Sequence, residues 1–95
     1  MSDRYELRLA RSASRVLQSG PPHGLPLAAA EAIGAFMTGP LLDNPHRVGK
    51  ELINDWAGYH AARRGDYRIV YRILEADRVV RVVRIDHRAV VYRPR

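Results

Sequence analysis

The side chains best suited to chemistry in this chain are arginines in strand-like surroundings. Arg68 and Arg72 alternate with apolar residues in YRIVYRIL (67–74), and Arg88 lies in DHRAVVY (86–92). Arginine is an odd choice for a strand that needs only to be stable, whereas its planar guanidinium fork matches phosphate oxygens two at a time. Arg68 and Arg88 are therefore candidate phosphate ligands. His60 and His87 are candidates for proton transfer, since an unshifted imidazole titrates near neutrality. Tyr92 offers a ring for stacking on a base or a hydroxyl for hydrogen bonding. Lys50, Arg63 and Arg64 add charge that suits a polyanion backbone.

Composition agrees with an anionic partner. The 95 residues carry 16 basic and 10 acidic groups, a net charge of +6. Lys50 is the only lysine. The first 48 residues hold +1 of the net charge and the remainder +5, so the positive charge is concentrated in the half that holds the candidate residues. Such a charge suits nucleic acid, an acidic protein or an anionic membrane surface. Cysteine is absent, which excludes disulfides, thiol catalysis and cysteine-bound zinc and fits a cytoplasmic protein. The N-terminus, MSDRYELRLARS, has no apolar core and does not read as a signal peptide, and no run is long and apolar enough to span a membrane. No metal site and no cofactor are expected. The histidines show no i, i+4 pair, and GPLLDNPHRVGK lacks the spacing of a phosphate-binding loop.

A chain of this length is expected to form one domain, 1–95, with a thin core. The elements that must position the candidates follow from periodicity. YELRLA (5–10) reads as a short first strand. Ser12 is placed to cap a helix over 13–19, which the GPPHG stretch (20–24) breaks. Pro26 then opens a second helix whose apolar residues Ala30, Ile33 and Met37 recur at helical spacing, and Gly39 stops it. GPLLDNPHRVGK (39–50) reads as a loop. ELINDW starts a strand that continues through GYHAARR across a bulge near Ala57–Gly58, with Trp56 packing at the bend. Gly65–Asp66 is a hairpin turn. YRIVYRIL splits Tyr67, Ile69, Tyr71 and Ile73 from Arg68, Val70, Arg72 and Leu74. RVVRVVRIDH (78–87) is a long strand whose arginines, three residues apart, fall on alternate faces. The expected fold is α+β, in the order β-α-α-β-β-β. Two N-terminal helices cover one face of a small, mainly antiparallel sheet, and the other face is open and carries arginine.

NPHRVGKEL (44–52), AGYHAARRGDYRIVYRI (57–73) and VVRIDHRAVVY (82–92), taken in order, resemble the RelE/ParE superfamily of bacterial toxins from type II toxin–antitoxin systems, and most closely the RelE branch. The resemblance implies a toxin that cleaves messenger RNA at the ribosomal A site. It needs no metal and is neutralised by an acidic, RelB-like antitoxin. Arg68 then matches the strand arginine that stabilises charge on the scissile phosphate. Arg88 matches a second phosphate-binding arginine and Tyr92 the terminal tyrosine, while His60 stands where a basic residue of the branch takes part in proton transfer. Ala62 departs from the pattern, since some members carry a second lysine there. The same fold also serves ParE toxins, which poison DNA gyrase without cleaving RNA. That reading and a plain basic RNA-binding module are the alternatives.

Overall fold

The computed structural model describes residues 4–20 and 24–87. Five strands form one mixed sheet in the order β1-β5-β4-β3-β2, with β1 (Glu6–Leu9), β2 (Lys50–Glu51), β3 (Tyr59–Arg64), β4 (Tyr67–Leu74) and β5 (Val79–His87). The last three strands make the expected antiparallel meander, and β1 runs parallel to β5 at the sheet edge. Helices α1 (Arg11–Ser19) and α2 (Leu27–Thr38) lie on one face.

Three local expectations are corrected. The 39–50 segment is not a loop but contains two single-turn helices, α3 (Pro40–Asp43) and α4 (Pro45–Val48). Each begins on a proline, whose fixed φ suits a first helical position and whose missing N–H would have no partner there anyway. The α3 turn also buries Leu41 and Leu42. The strand expected from 51 onward is two strands, β2 and β3, separated by a 3-10 turn at Asn54–Trp56. Ser12 does not cap α1: Ala10 holds the N-cap position without a side-chain bond, and the Ser12 hydroxyl instead donates to the Val83 carbonyl at 2.7 Å.

That last bond marks the feature that organises the sheet. Between β4 and β5 the register steps from Val70↔Arg84 to Tyr71↔Val82, leaving Val83 as an extra, bulged residue. The bulge shifts β5 by one residue, so Val82 and Ile85, three apart, both enter the core. The same shift turns Arg81 and Arg84 to the opposite face together. The expectation that these arginines alternate between faces is thus overturned. A bulge frees polar backbone groups that must find partners, and Ser12 takes the Val83 carbonyl, while the Ala10 N–H donates to the Val82 carbonyl at 2.8 Å.

The core sits between the helices and one sheet face. It contains Ala13, Ile33, Phe36, Met37, Leu41 and Leu42 from the helices and Ala62, Ile69, Tyr71, Val80, Val82 and Ile85 from the strands. Tyr71 is fully buried and its hydroxyl donates to the Pro45 carbonyl at 2.6 Å, tying α4 to the sheet. No helix among the described residues is long and apolar enough to cross a membrane.

Candidate nucleic-acid interface

Residues opposite each other in a ladder share a face, and neighbours along a strand alternate. Tyr71 belongs to the core, so Arg68, Val70 and Arg72 of β4 face away from the helices. Their partners on β3 are Arg63, Ala61 and Tyr59, and Ala61 in turn pairs with Lys50 of β2. On β5 they meet Asp86, Arg84 and Arg81, and Arg81 pairs with Arg8 of β1. Among the described residues, seven cations therefore share the helix-free face: Arg8, Lys50, Arg63, Arg68, Arg72, Arg81 and Arg84.

At one end of this face the cations line a groove. An open depression of about 630 Å³ is bounded by Arg47, Val48, Gly49, Lys50, Leu52, Ala61, Ala62, Arg63 and Arg68. Among the described residues, four cations and no carboxylate line it. Arg63 and Arg68 are direct cross-strand partners, an arrangement of like charges that disfavours pairing. A strand pair built for stability alone would place opposite charges or apolar groups there.

Gly49 holds the edge of the groove in place. Its backbone is extended, so no left-handed conformation is involved. The constraint is space: a Cβ at this position would run into the Tyr71 hydroxyl and stand 2.9 Å from the Ala61 carbonyl oxygen. Only glycine lets the chain pass close enough for Lys50 to pair with Ala61.

Asp86 is the one carboxylate directly opposite Arg68 on this face. It accepts from Arg84, with Nε–Oδ2 at 3.0 Å and Nη2–Oδ1 at 3.5 Å, and its side chain is only 17% exposed. A two-point carboxylate pair restricts the guanidinium orientation. Asp86 thereby fixes Arg84 beside Arg68.

The other candidate residues are elsewhere. His60 is paired with Tyr71, on the helix side of the sheet, and stacks on it with ring centroids 5.5 Å apart. It meets His46 edge-on at 6.1 Å, and its buried Nδ1 has no hydrogen-bond partner among the described residues. Burial pushes its pKa below the usual histidine value. Glu51 opposes that shift, and His46 adds to it. His60 is therefore a neutral, packed ring on the face opposite Arg68, and the sheet separates the two. Arg64 lies on the helix side too, with its guanidinium 3.8 Å from the centre of the Phe36 ring. His87 pairs with Tyr67 and meets it edge-on at 5.3 Å. Arg88 and Tyr92 lie outside the described residues. Of the candidates named from sequence, the groove brings together Lys50, Arg63 and Arg68.

Sequence reasoning passed over Arg47 and Arg84. The signal for Arg47 is weak, since GPLLDNPHRVGK reads as a loop. Arg84 needed the β4–β5 register, which the bulge alters.

A second polar cluster lies at the far edge, where Glu75 accepts from the Tyr5 hydroxyl and from His46 Nε2, each at 2.5 Å. These bonds hold the Glu75 carboxyl below its usual pKa and, with burial, raise that of Tyr5. Arg78 adds an ion pair to Glu75 at 3.6 Å and lies over the Tyr5 ring at 4.0 Å. The cluster ties β1 and α4 to the turn before β5.

The comparisons with known proteins agree with this architecture. Residues 7–92 match the family model of the ParE toxin of type II toxin–antitoxin systems. The chain belongs to the RelE/ParE superfamily of type II toxin–antitoxin toxins. It is 45% identical over 89 residues to Toxin RelE of Mycobacterium tuberculosis, covering 94% of this chain and 87% of that protein. It is 42% identical to Toxin RelG of the same organism, covering 94% and 97% of the two chains. Among solved structures, the RelBE2 toxin–antitoxin complex of M. tuberculosis superposes with a TM-score of 0.80 at 38% identity. That match covers 88% of this chain and 98% of the other. The fold of this toxin is thus the RelE-like α+β fold.

Proposed function

We propose that this toxin is a ribosome-dependent endoribonuclease that cleaves messenger RNA at the A site and so stops translation. The observation that carries the reading is the groove at the sheet edge that Arg47 of α4 and Lys50, Arg63 and Arg68 of the strands line, among the described residues, without a carboxylate. A phosphodiester seated there meets several guanidinium forks at once. The 2′-oxygen attacks phosphorus and the bond to the 5′-oxygen breaks, giving a 2′,3′-cyclic phosphate and a 5′-hydroxyl. Arg68, with Arg88, stabilises the charge on the phosphorane. One proton leaves the 2′-hydroxyl and another reaches the 5′-oxygen. We assign His60 no part in these transfers, since it pairs with Tyr71 on the other face; Tyr92, five residues after His87 in the sequence, is assigned to the base or the attacking hydroxyl. The whole chain, 1–95, acts as one domain, in the cytoplasm, with an acidic RelB-like antitoxin as its regulating partner. The excess of arginine on one face supplies what such an antitoxin would cover.

The placement of His60 favours a second reading, that of a gyrase inhibitor on the same fold. Neither His60 nor His87 shares the Arg68 face. In vitro translation with mapped mRNA ends separates the two. Cleavage within codons that requires ribosomes and disappears in Arg68→Ala supports the endoribonuclease. Intact mRNA alongside blocked gyrase supercoiling supports the inhibitor.

A further inference from the structure

Beyond the groove, the same face carries a row of residues with no part in the reading above. Arg8, Arg81, Arg72 and Tyr59 stand in successive register on β1, β5, β4 and β3. All three arginines are exposed. Arg8 is paired with Glu6 at 3.1 Å, but among the described residues Arg72 and Arg81 make no ion pair. Three like charges abreast disfavour a sheet, and the Val83 bulge that brings Arg81 and Arg84 to one face enlarges that charge rather than dispersing it. The row ends on two half-exposed rings. Trp56 meets Tyr59 edge-on with centroids 5.5 Å apart. Arg72 stands 6.0 Å from the Tyr59 ring centre and Arg84 6.0 Å from that of Trp56.

Cations interleaved with accessible rings on an open surface are what holds a single-stranded nucleic acid, with guanidinium on phosphate and ring on base. An acidic peptide would answer the arginines alone; the rings beside them favour unpaired bases. Arg72 lies four residues from Arg68 along β4, about 13 Å, so the row is distinct from the groove yet reachable by the same strand.

We propose that Arg8, Arg81 and Arg72 with the Trp56–Tyr59 pair form a second subsite for single-stranded RNA, taking phosphates on the arginine row and an unpaired base on the rings. It rests on the RNA reading of the groove and identifies where the strand runs after leaving it.

Trp56 is the only tryptophan, so its fluorescence reports on this subsite. The full chain is titrated, without ribosomes, with a short single-stranded RNA of mixed sequence. The expected result is saturable quenching of Trp56 that persists in Arg68→Ala. Arg72→Gln and Arg81→Gln each weaken binding and flatten the slope of log K against log salt by about 0.7. Tyr59→Leu weakens it roughly five- to hundredfold with the slope unchanged. Circular dichroism confirms that each variant is folded. RNA binding without a change in Trp56, or unaltered slopes in both glutamine variants, overturns the subsite. So does an acidic peptide that quenches Trp56 where RNA does not. The two readings fail separately. Ribosome-dependent cleavage with wild-type RNA binding in the row variants removes only the subsite. Quenching by RNA with intact mRNA on ribosomes removes only the endoribonuclease.

Discussion

Gly49→Ala tests whether the groove depends on a close passage of the chain, and the structure sets the size of the effect. The new methyl meets two obstacles, the Tyr71 hydroxyl and, at 2.9 Å, the Ala61 carbonyl oxygen. Neither gives way easily. The carbonyl belongs to a paired strand, and Tyr71 is fully buried and held by Pro45. Burial also raises the Tyr71 pKa to about 12, so the hydroxyl stays protonated and keeps donating throughout the ordinary pH range. Inserting a methyl into such a site costs about 1–3 kcal/mol. For a domain of this size that is a fall in Tm of roughly 4–8 °C per kcal/mol. Tyr71→Phe leaves the Pro45 carbonyl without its donor and costs about 1–2 kcal/mol. The double variant decides the cause. Removing the hydroxyl makes room for the methyl, so the two losses overlap, with a coupling of at least about 0.5 kcal/mol. Urea denaturation of the four proteins measures this. Strict additivity would refute the steric account of Gly49, and so would a Gly49→Ala protein as stable as wild type. Because Lys50 follows directly, Gly49→Ala is also expected to weaken RNA binding beyond what its stability loss explains.

Further outcomes follow from the same geometry. Arg68→Ala is expected to lower ribosome-dependent cleavage by at least about a hundredfold while changing stability by no more than about 1 kcal/mol, because it also relieves the Arg63–Arg68 repulsion; toxicity in growing cells and a urea melt read the two halves. Ser12→Ala removes the bond to the bulged Val83 carbonyl and is expected to cost about 0.5–1.5 kcal/mol, and thermal melts that coincide with wild type would contradict its role in locking the bulge. His60 has a pKa lowered by burial, so the folded protein binds fewer protons than the unfolded one below the ordinary histidine value. Its contribution to stability is full above about pH 6.5 and declines as pH falls toward the folded value, with a slope of at most about 1.4 kcal/mol per pH unit. His60→Phe keeps a ring on Tyr71 and should flatten this decline, and identical pH profiles for the two proteins would remove His60 as its source.

Much of the sheet was legible because alternation is a local signal. The split of Tyr67, Ile69, Tyr71 and Ile73 from Arg68 and Arg72 is the one the core displays, and Pro26 and Gly39 bracket α2 as expected. The face that His60 occupies follows from the hairpin. A two-residue turn at Gly65–Asp66 pairs His60 with Tyr71, and Tyr71 had already been assigned to the apolar face. The hairpin register therefore sets His60 on the face opposite Arg68. The arginine row is another matter. RVVRVVRI repeats every third residue and fits neither a regular strand nor a helix, so its face pattern depends on where the register steps. That step is held at Val83 by Ser12 and beside it by Ala10, about seventy residues earlier in the chain. Regular alternation would have sent one of Arg81 and Arg84 into the core and one of Val82 and Ile85 out of it. The bulge resolves both conflicts together, burying two aliphatic side chains and exposing two cations. A sequence that departs from period two in this way can be read only with its packing partner in hand, and here that partner is the N-terminal segment that leads from β1 into α1.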